Sequence, residues 1–296
     1  MIPYVRQFDF EYGRCDQVSP LVRRVIANNP GPFTFTGTGT YIIGSGESVA
    51  VIDPGPDMPE HLAAILAATK GETISHILIT PHHADHSPLA RPLAQATGAV
   101  IYGCAAPGAE ADLGVKLEAG HDNFVPDISV CGGGTIAGKD WTFEAVATPG
   151  HTSNHICYAL AQENALFSGD HIMGWSTTVV TPPDGDMAAY LNSLDVIQTQ
   201  NYQVIWPTHG PPIREVRAFI DAYREHRIDR ERQIMGQLAA GEKKIKDFVP
   251  KMYVGVDARL YPAAAHSVFA HVIQLVKAGR VTTAGEPRLD SEYRLT

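Results

Sequence analysis

Four short segments rich in histidine and aspartate each follow a run of β-branched and aromatic residues, and this arrangement constrains the chain more than any other feature. They are Thr80-Pro81-His82-His83-Ala84-Asp85-His86, Thr148-Pro149-Gly150-His151-Thr152-Ser153-Asn154-His155, Ser168-Gly169-Asp170-His171 and Pro207-Thr208-His209-Gly210-Pro211. Neutral imidazole and carboxylate are ligands for borderline cations such as zinc. A loop leaving a buried strand end can hold such groups rigidly and still face a cleft. Two neighbouring ions need more donors than one loop offers, including a bridging carboxylate, so the ligands must converge from several loops.

The surrounding pattern predicts helices packed on a sheet. Strands are expected at 41–44, 49–53, 76–80, 99–102, 141–147, 156–160, 165–168 and 204–207, from short apolar runs punctuated by glycine and proline. The Gly-Ser-Gly-Glu-Ser break between the first two marks a hairpin. Helices are expected at Pro59–Lys70, at Ser87–Thr97 with Ser87 as cap and Pro88 at the first position, and at Asp186–Gln198. Charges at helical spacing (Arg217, Asp221, Arg224, Arg227, Arg230) predict one long amphipathic helix over Ile213–Leu238. Leu260 to Ala278 carries an apolar face and is followed by Gly279-Arg280-Val281, a helix–turn–strand that resembles the end of a winged helix. Gly103 to Asp127 has little periodicity, and with Trp175 and the C-terminal region it is expected to shape the mouth of a cleft.

Composition narrows the function classes. The 296 residues carry 23 Lys and Arg against 32 Asp and Glu, so a net charge of −9 makes the whole chain a poor binder of polyanions. The one basic concentration, Lys243-Lys244-Ile245-Lys246 with Lys251, is interleaved with acidic residues and reads as a solvated helical face, the alternative being a patch that steers an anionic substrate such as RNA or a coenzyme A thioester. Four cysteines without C-x-x-C spacing (Cys15, Cys104, Cys131, Cys157) read as reduced thiols. No apolar run approaches ~20 residues and the start lacks an export signal, so a cytoplasmic protein with no membrane partner is expected. The glycines of Thr36-Gly37-Thr38-Gly39-Thr40 lack the lysine of a phosphate-binding loop and read as a turn. No G-x-S-x-G nucleophile motif is present.

The four segments together resemble the metallo-β-lactamase family, with its H-x-H-x-D-H signature, distant histidine, bridging aspartate and final histidine, from about residue 37 to residue 212. Val51-Ile52-Asp53-Pro54-Gly55 is similar to the family's strand-end Asp-x-Gly. Asp85-His86-Ser87-Pro88, the Gly150–His155 segment and Leu260-Tyr261-Pro262-Ala263-Ala264 resemble the branch containing lactamase-β-like endoribonucleases and thioesterases. The resemblance implies an α/β fold, the metallo-β-lactamase αββα sandwich with a small helical, winged-helix-like C-terminal domain. The expected division is a hydrolase domain over 1–215, a connecting amphipathic helix over 216–240 and a winged-helix-like domain over 241–296.

Carried over residue by residue, the resemblance implies metal ligands His83, Asp85, His86, His151, Asp170 and His209, with Asp53, His155 and His171 supporting them from behind. Asp170 bridges the two ions, and Asp85 is the catalytic residue that orients or deprotonates a metal-activated water. One position departs: Pro81 stands where the motif has its first histidine. That leaves His83, His151 and Asp170 as a weakened first site, with His82 as the candidate substitute ligand. The second site, Asp85, His86, Asp170 and His209, is complete. Zinc is the expected cofactor, at one or two ions per chain. The expected substrate is a small-molecule thioester or other acyl ester. Two alternatives stand beside it: cleavage of single-stranded RNA, and a degenerate site that binds a ligand with little turnover.

Overall fold

The computed structural model describes residues 2–105 and 124–296. Most of the aperiodic Gly103–Asp127 stretch therefore lies outside the described residues. The first sheet has seven strands in chain order: β1 (Cys15–Gln17), β2 (Val22–Ile26), β3 (Gly39–Ile43), β4 (Val49–Ile52), β5 (Ile74–Leu78), β6 (Val100–Gly103) and β7 (Ile128–Ser129). β1 to β4 pair antiparallel, and β4 to β7 pair parallel. The second sheet runs β12 (Val204–Pro207), β11 (Ala165–Gly169), β10 (Ile156–Leu160), β9 (Thr142–Ala147) and β8 (Thr135–Ala137), with β11–β12 parallel and the other pairs antiparallel. Parallel neighbours need crossovers. Helices α1 (Pro59–Ala68), α2 (Ala90–Thr97) and α3 (Met187–Gln198) supply them for the β4–β5, β5–β6 and β11–β12 pairs.

Side-chain alternation sets the layering. Tyr41, Ile43, Ala50 and Ile52 pack against Phe143, Tyr158 and Phe167 of the second sheet. Their neighbours Ile42, Val49 and Val51 turn the other way, onto Ile65 of α1 and Leu93 of α2. On the second sheet Cys157, Ala159 and Leu166 face outward onto Tyr190 and Leu194 of α3. Two sheets face to face with helices outside both match the expected αββα sandwich.

The chain then enters α4 (Val216–Ala239), which serves two cores. Val216, Phe219, Ile220 and Tyr223 pack on the second sheet. Ile234 and Leu238 pack with α5 (Ile245–Met252), α6 (Tyr261–Lys277) and the antiparallel pair β13 (Val281–Thr283) and β14 (Tyr293–Leu295).

Several expectations shift for identifiable reasons. Ser87 does not cap α2. Its hydroxyl donates to the carbonyls of His82 and His83, closing the turn that carries the ligand loop, and the helix starts at Ala90. The long helix begins at Val216 because Ile213 is held by reciprocal backbone bonds to Ile205, both 2.9 Å. β2 was not expected because Arg23 and Arg24 interrupt its apolar run; Arg24 is nonetheless buried, its guanidinium 4.9 Å from the Phe8 ring. In the basic tail Lys251 pairs with Glu242, and Lys244 lies 3.8 Å from Glu292, in keeping with a solvated face.

The reading of all four cysteines as free thiols is corrected. Cys104 and Cys131 form a disulfide, while Cys15 and Cys157 are free. Parallel pairing of Tyr102 with Ile128 and Gly103 with Ser129 brings the two cysteines together, which a separation of 27 residues conceals in the sequence. Two measurements follow. Non-reducing peptide mapping is expected to recover a Cys104–Cys131 cross-linked peptide that reduction abolishes. Phe143→Ala, which empties a fully buried ring site between the sheets, is expected to cost about 3–5 kcal/mol in denaturant unfolding.

Candidate metal centre

Asp53 follows β4 with a φ of 47° and a backbone N–H donating to Leu78 O at 2.9 Å. Its carboxylate is wholly buried and accepts from both sheets. Oδ1 takes the Thr80 N–H at 2.9 Å, and Oδ2 takes the Thr80 hydroxyl at 2.6 Å and the Thr208 hydroxyl at 2.7 Å. His86 Nδ1 lies 2.9 Å from the same Oδ2. Backbone bonds complete the junction: Ile156 N–H to Thr80 O at 3.2 Å and Gly39 N–H to Thr208 O at 2.8 Å. The loops following β5 and β12 therefore share one anchor.

With Nδ1 donating to Asp53, His86 turns Nε2 toward Asp170 Oδ2 at 3.2 Å and Asp85 Oδ2 at 3.7 Å. His209 donates Nδ1–H to Gly37 O at 3.2 Å, which leaves Nε2 3.0 Å from Asp85 Oδ2 and 3.4 Å from Asp170 Oδ1. His151 donates Nδ1–H to Val179 O at 2.6 Å, placing Nε2 3.5 Å from Asp170 Oδ2 and 3.2 Å from His83 Nδ1. Two groups of donor atoms result, each within 4.8 Å: Asp85, His86, Asp170 and His209 in one, His83, His151 and Asp170 in the other. Asp170 belongs to both.

All six residues expected as ligands are thus brought together, and His82 is not among them. Its Nδ1 instead meets Asn154 Oδ1 at 3.1 Å, because neighbours in an extended loop point apart. Pro81 leaves the His83–His151 group with three residues. His155 stands behind Asp170: its Nε2 accepts the Asp170 N–H at 3.2 Å, and Nδ1 pairs with the Thr148 hydroxyl at 2.8 Å. His171 differs. Its ring nitrogens are buried without a hydrogen bond among the described residues, and its backbone carbonyl rather than its ring meets the Thr178 and Tyr190 hydroxyls.

Tight backbone geometry delivers these side chains. Gly169 has a φ of 53°, and a Cβ there would lie 2.5 Å from Thr80 Oγ1 and 2.7 Å from His155 Nε2. It ends β11 at a register shift that aims Asp170 inward. Gly150 has a φ of 139°, and a Cβ there would sit 2.3 Å from Tyr190 Cα.

The electrostatics suit a cation. Burial opposes a charge on His86, but Asp170, Asp85 and Asp53 outweigh it and raise its pKa well above the ordinary value. His209 is raised in the same way against burial, by Asp170 and Asp85. Burial works against charge on Asp85 and Asp170 too, yet the His86 and His209 rings hold both carboxyls down. His83, where burial and His151 act together, is lowered to about 3. Asp170 Oδ1 is buried without a hydrogen bond, 3.4 Å from His209 Nε2. Buried nitrogen and oxygen donor atoms converging on one point are what a bound metal ion satisfies.

Sequence reasoning missed the support from α4. The Tyr223 hydroxyl accepts the Met173 N–H at 3.1 Å and faces the carbonyls of Met173 and Ser176. Buried Arg227 donates to Thr178 O, its guanidinium 4.9 Å from the Tyr190 ring centroid. The Thr178 hydroxyl in turn reaches the carbonyls of Asp170 and His171 at 2.8 and 2.9 Å. One signal was available: a Thr or Ser (Thr80, Thr148, Ser168, Thr208) is the first or second residue of every ligand segment, and each hydroxyl bonds within the site's framework. The Thr36–Thr40 segment read as a turn also contributes, through Gly37 O and through the Thr38 hydroxyl donating to Asp85 O at 2.9 Å.

Asp53→Ala removes the acceptor that aligns His86, Thr80 and Thr208. It is expected to weaken metal binding by about 10–100-fold in a chelator-competition titration.

The comparisons agree with this geometry. Residues 34–209 match the family described as the Metallo-beta-lactamase superfamily, and residues 245–289 match the Beta-lactamase associated winged helix domain. The chain is 34% identical over 275 residues to a Beta-lactamase-like protein 2 homolog from Caenorhabditis elegans, covering 90% of this chain and 88% of that protein. It is 32% identical over 237 residues to an Atrochrysone carboxyl ACP thioesterase from Aspergillus chevalieri, covering 77% and 69%. A beta-lactamase domain protein from Burkholderia ambifaria superposes with a TM-score of 0.83 at 20% identity, covering 100% of this chain and 97% of that one. The chain belongs to the metallo-beta-lactamase superfamily of hydrolases and carries that superfamily's associated winged helix domain over residues 245–289.

Proposed function

We propose that the protein hydrolyses a thioester or related acyl ester with the help of bound metal, zinc being the expected ion. In this reading Asp85, His86, Asp170 and His209 hold one ion, and His83, His151 and Asp170 hold the second more weakly. The observation that carries it is the pair of donor groups meeting at the shared Asp170 carboxylate. The relatives named as thioesterases, at 32% and 29% identity, support an acyl substrate. The division at 1–215, 216–240 and 241–296 is part of the same proposal, with α4 bridging the two units.

Bound metal would supply a Lewis acid and lower the pKa of coordinated water toward ~7. The chain's own residues then do the rest. Asp85 is the carboxylate open to a reactant, with 26% of its side chain exposed against 6% for Asp170. Held low in pKa, it stays ionised and orients a water beside it as a hydrogen-bond acceptor. His86 and His209 are fixed through their Nδ1 atoms and keep Nε2 directed at the reacting centre. Among the described residues no helix is long and apolar enough to cross a membrane.

Elemental analysis of protein purified without chelator is expected to find metal, and Asp85→Asn is expected to lower thioester kcat by at least ~100-fold. Two ions per chain establish the dinuclear form, and one places metal at the Asp85–His86–His209 group. No metal after careful loading overturns the proposal. The pH dependence has a definite sign. In the metal-free protein the raised pKa values of His86 and His209 contribute stability that is full below about 6.5 and is lost as pH rises through their folded values. Metal must displace those two protons. Its apparent affinity is therefore expected to fall as pH drops, by up to about 100-fold per unit, with proton release on binding measured by calorimetry in two buffers.

A further inference from the structure

We propose that the cavity between α4, the 173–179 segment and the C-terminal unit is the acyl pocket, built for a bulky, ring-bearing acyl group. The proposal deepens the thioester reading above and rests on it. The cavity measures about 760 Å³, within the range of pockets that enclose an organic molecule. Its wall is shared with the metal centre. Val179 lines it, and Val179 O holds His151; Thr178 lines it, and its hydroxyl holds the Asp170 carbonyl. Trp175 lines it as well and packs against Gly210, the residue after His209. Three ligand-bearing loops thus rest on the backbone that forms this cavity.

The lining states what the pocket accepts. Tyr4, Phe33, Trp175 and Tyr253 present aromatic rings. Two are anchored in orientation: Trp175 stacks on Phe35 at 4.9 Å with planes 13° apart, and Tyr253 lies under the Arg230 guanidinium at 4.1 Å. Fixed ring faces favour a flat ring over a mobile saturated chain, since stacking adds to burial without a rotamer cost. At the α4 side the rim carries Glu225 and Asp229, one turn apart and both more than half exposed. Both are paired with Arg232, at 2.6 and 2.7 Å, and Arg6, His226 and Arg230 also line the cavity; the remaining carboxylate oxygens accept from hydroxyl groups. The C-terminal unit supplies Tyr253, Val256, Leu260 and Ala263 as the opposite wall, with Val256 and Leu260 left 37% and 40% exposed. In this position the winged-helix unit acts as a specificity wall for an acyl group.

The test compares the metal-loaded full-length protein with Ala222→Trp on α4 and Ala263→Trp on α6, both of which place an indole in the cavity; either folded variant suffices. Two readouts are used: the ratio of kcat/KM for 2-naphthoyl over acetyl thioester of N-acetylcysteamine, and calorimetric binding of 2-naphthoate. The wild type is expected to prefer the naphthoyl thioester, and the substitutions are expected to lower both that ratio and naphthoate affinity at least tenfold. If the ratio and the affinity do not move in a folded variant, the pocket assignment is overturned, while continued turnover leaves the thioester reading intact. If the wild type turns over no thioester but binds naphthoate, and the variants weaken it, the pocket stands and the thioester reading falls. Cleavage of single-stranded RNA without naphthoate binding or thioester turnover overturns both.

Discussion

The buried carboxylate of Asp53 is the interaction on which the rest of the site depends. A buried charge is tolerated only where its acceptor sites are filled. Asp53 meets that requirement with donors from Thr80, Thr208 and His86, which belong to loops from two different sheets. The electrostatic need of one side chain thereby ties the ends of β4, β5 and β12, from the two sheets, together. Once Thr80 and Thr208 are placed, their chain neighbours His83, Asp85, His86 and His209 have little freedom left. The positive φ of Asp53 turns the carboxylate under both loops as the strand ends.

The helix after the sandwich extends this framework outward. Tyr223 and Arg227 of α4 grip the 173–179 segment, which backs Asp170 and His151 on one face and lines the cavity on the other. An arginine buried without a carboxylate partner among the described residues would be costly by itself. Its bond to the Thr178 carbonyl and its stacking on Tyr190 offset part of that cost. The helix that closes one core also continues into the core of the C-terminal unit. The metal centre, the cavity wall and the winged-helix unit are therefore mechanically one assembly.

Within the centre the two donor groups are unequal. One holds four residues and the other three, because Pro81 contributes no ligand and His82 is engaged with Asn154. Asn154 is itself tied to the chain beside the disulfide, donating to Cys104 O at 2.9 Å. Moving His82 into the vacant motif position would mean breaking that contact and rotating an adjacent peptide. The asymmetry is a consequence of one substitution at a rigid strand end, where proline fixes the backbone.

The amino-acid sequence alone determined the alternating helix and strand order, the four ligand segments, the loss of a histidine at Pro81 and the helical character of the tail. These are local properties: apolar periodicity, turn residues and residue type at fixed offsets can be read without knowing what lies opposite. The tertiary structure alone decided that Asp53 binds two loops at once and that His82 turns to Asn154. It also decided that the His171 ring lies apart from the ligands while its carbonyl is used, and that Cys104 meets Cys131. Ser87 as a helix cap and Ile213 as a helix residue failed for the same reason, since each is claimed by a partner on another element. Arg227 shows the limit most plainly. In sequence it is one more charge on a helix face, and only the packing of α4 against the 173–179 segment makes it a buried support of the site.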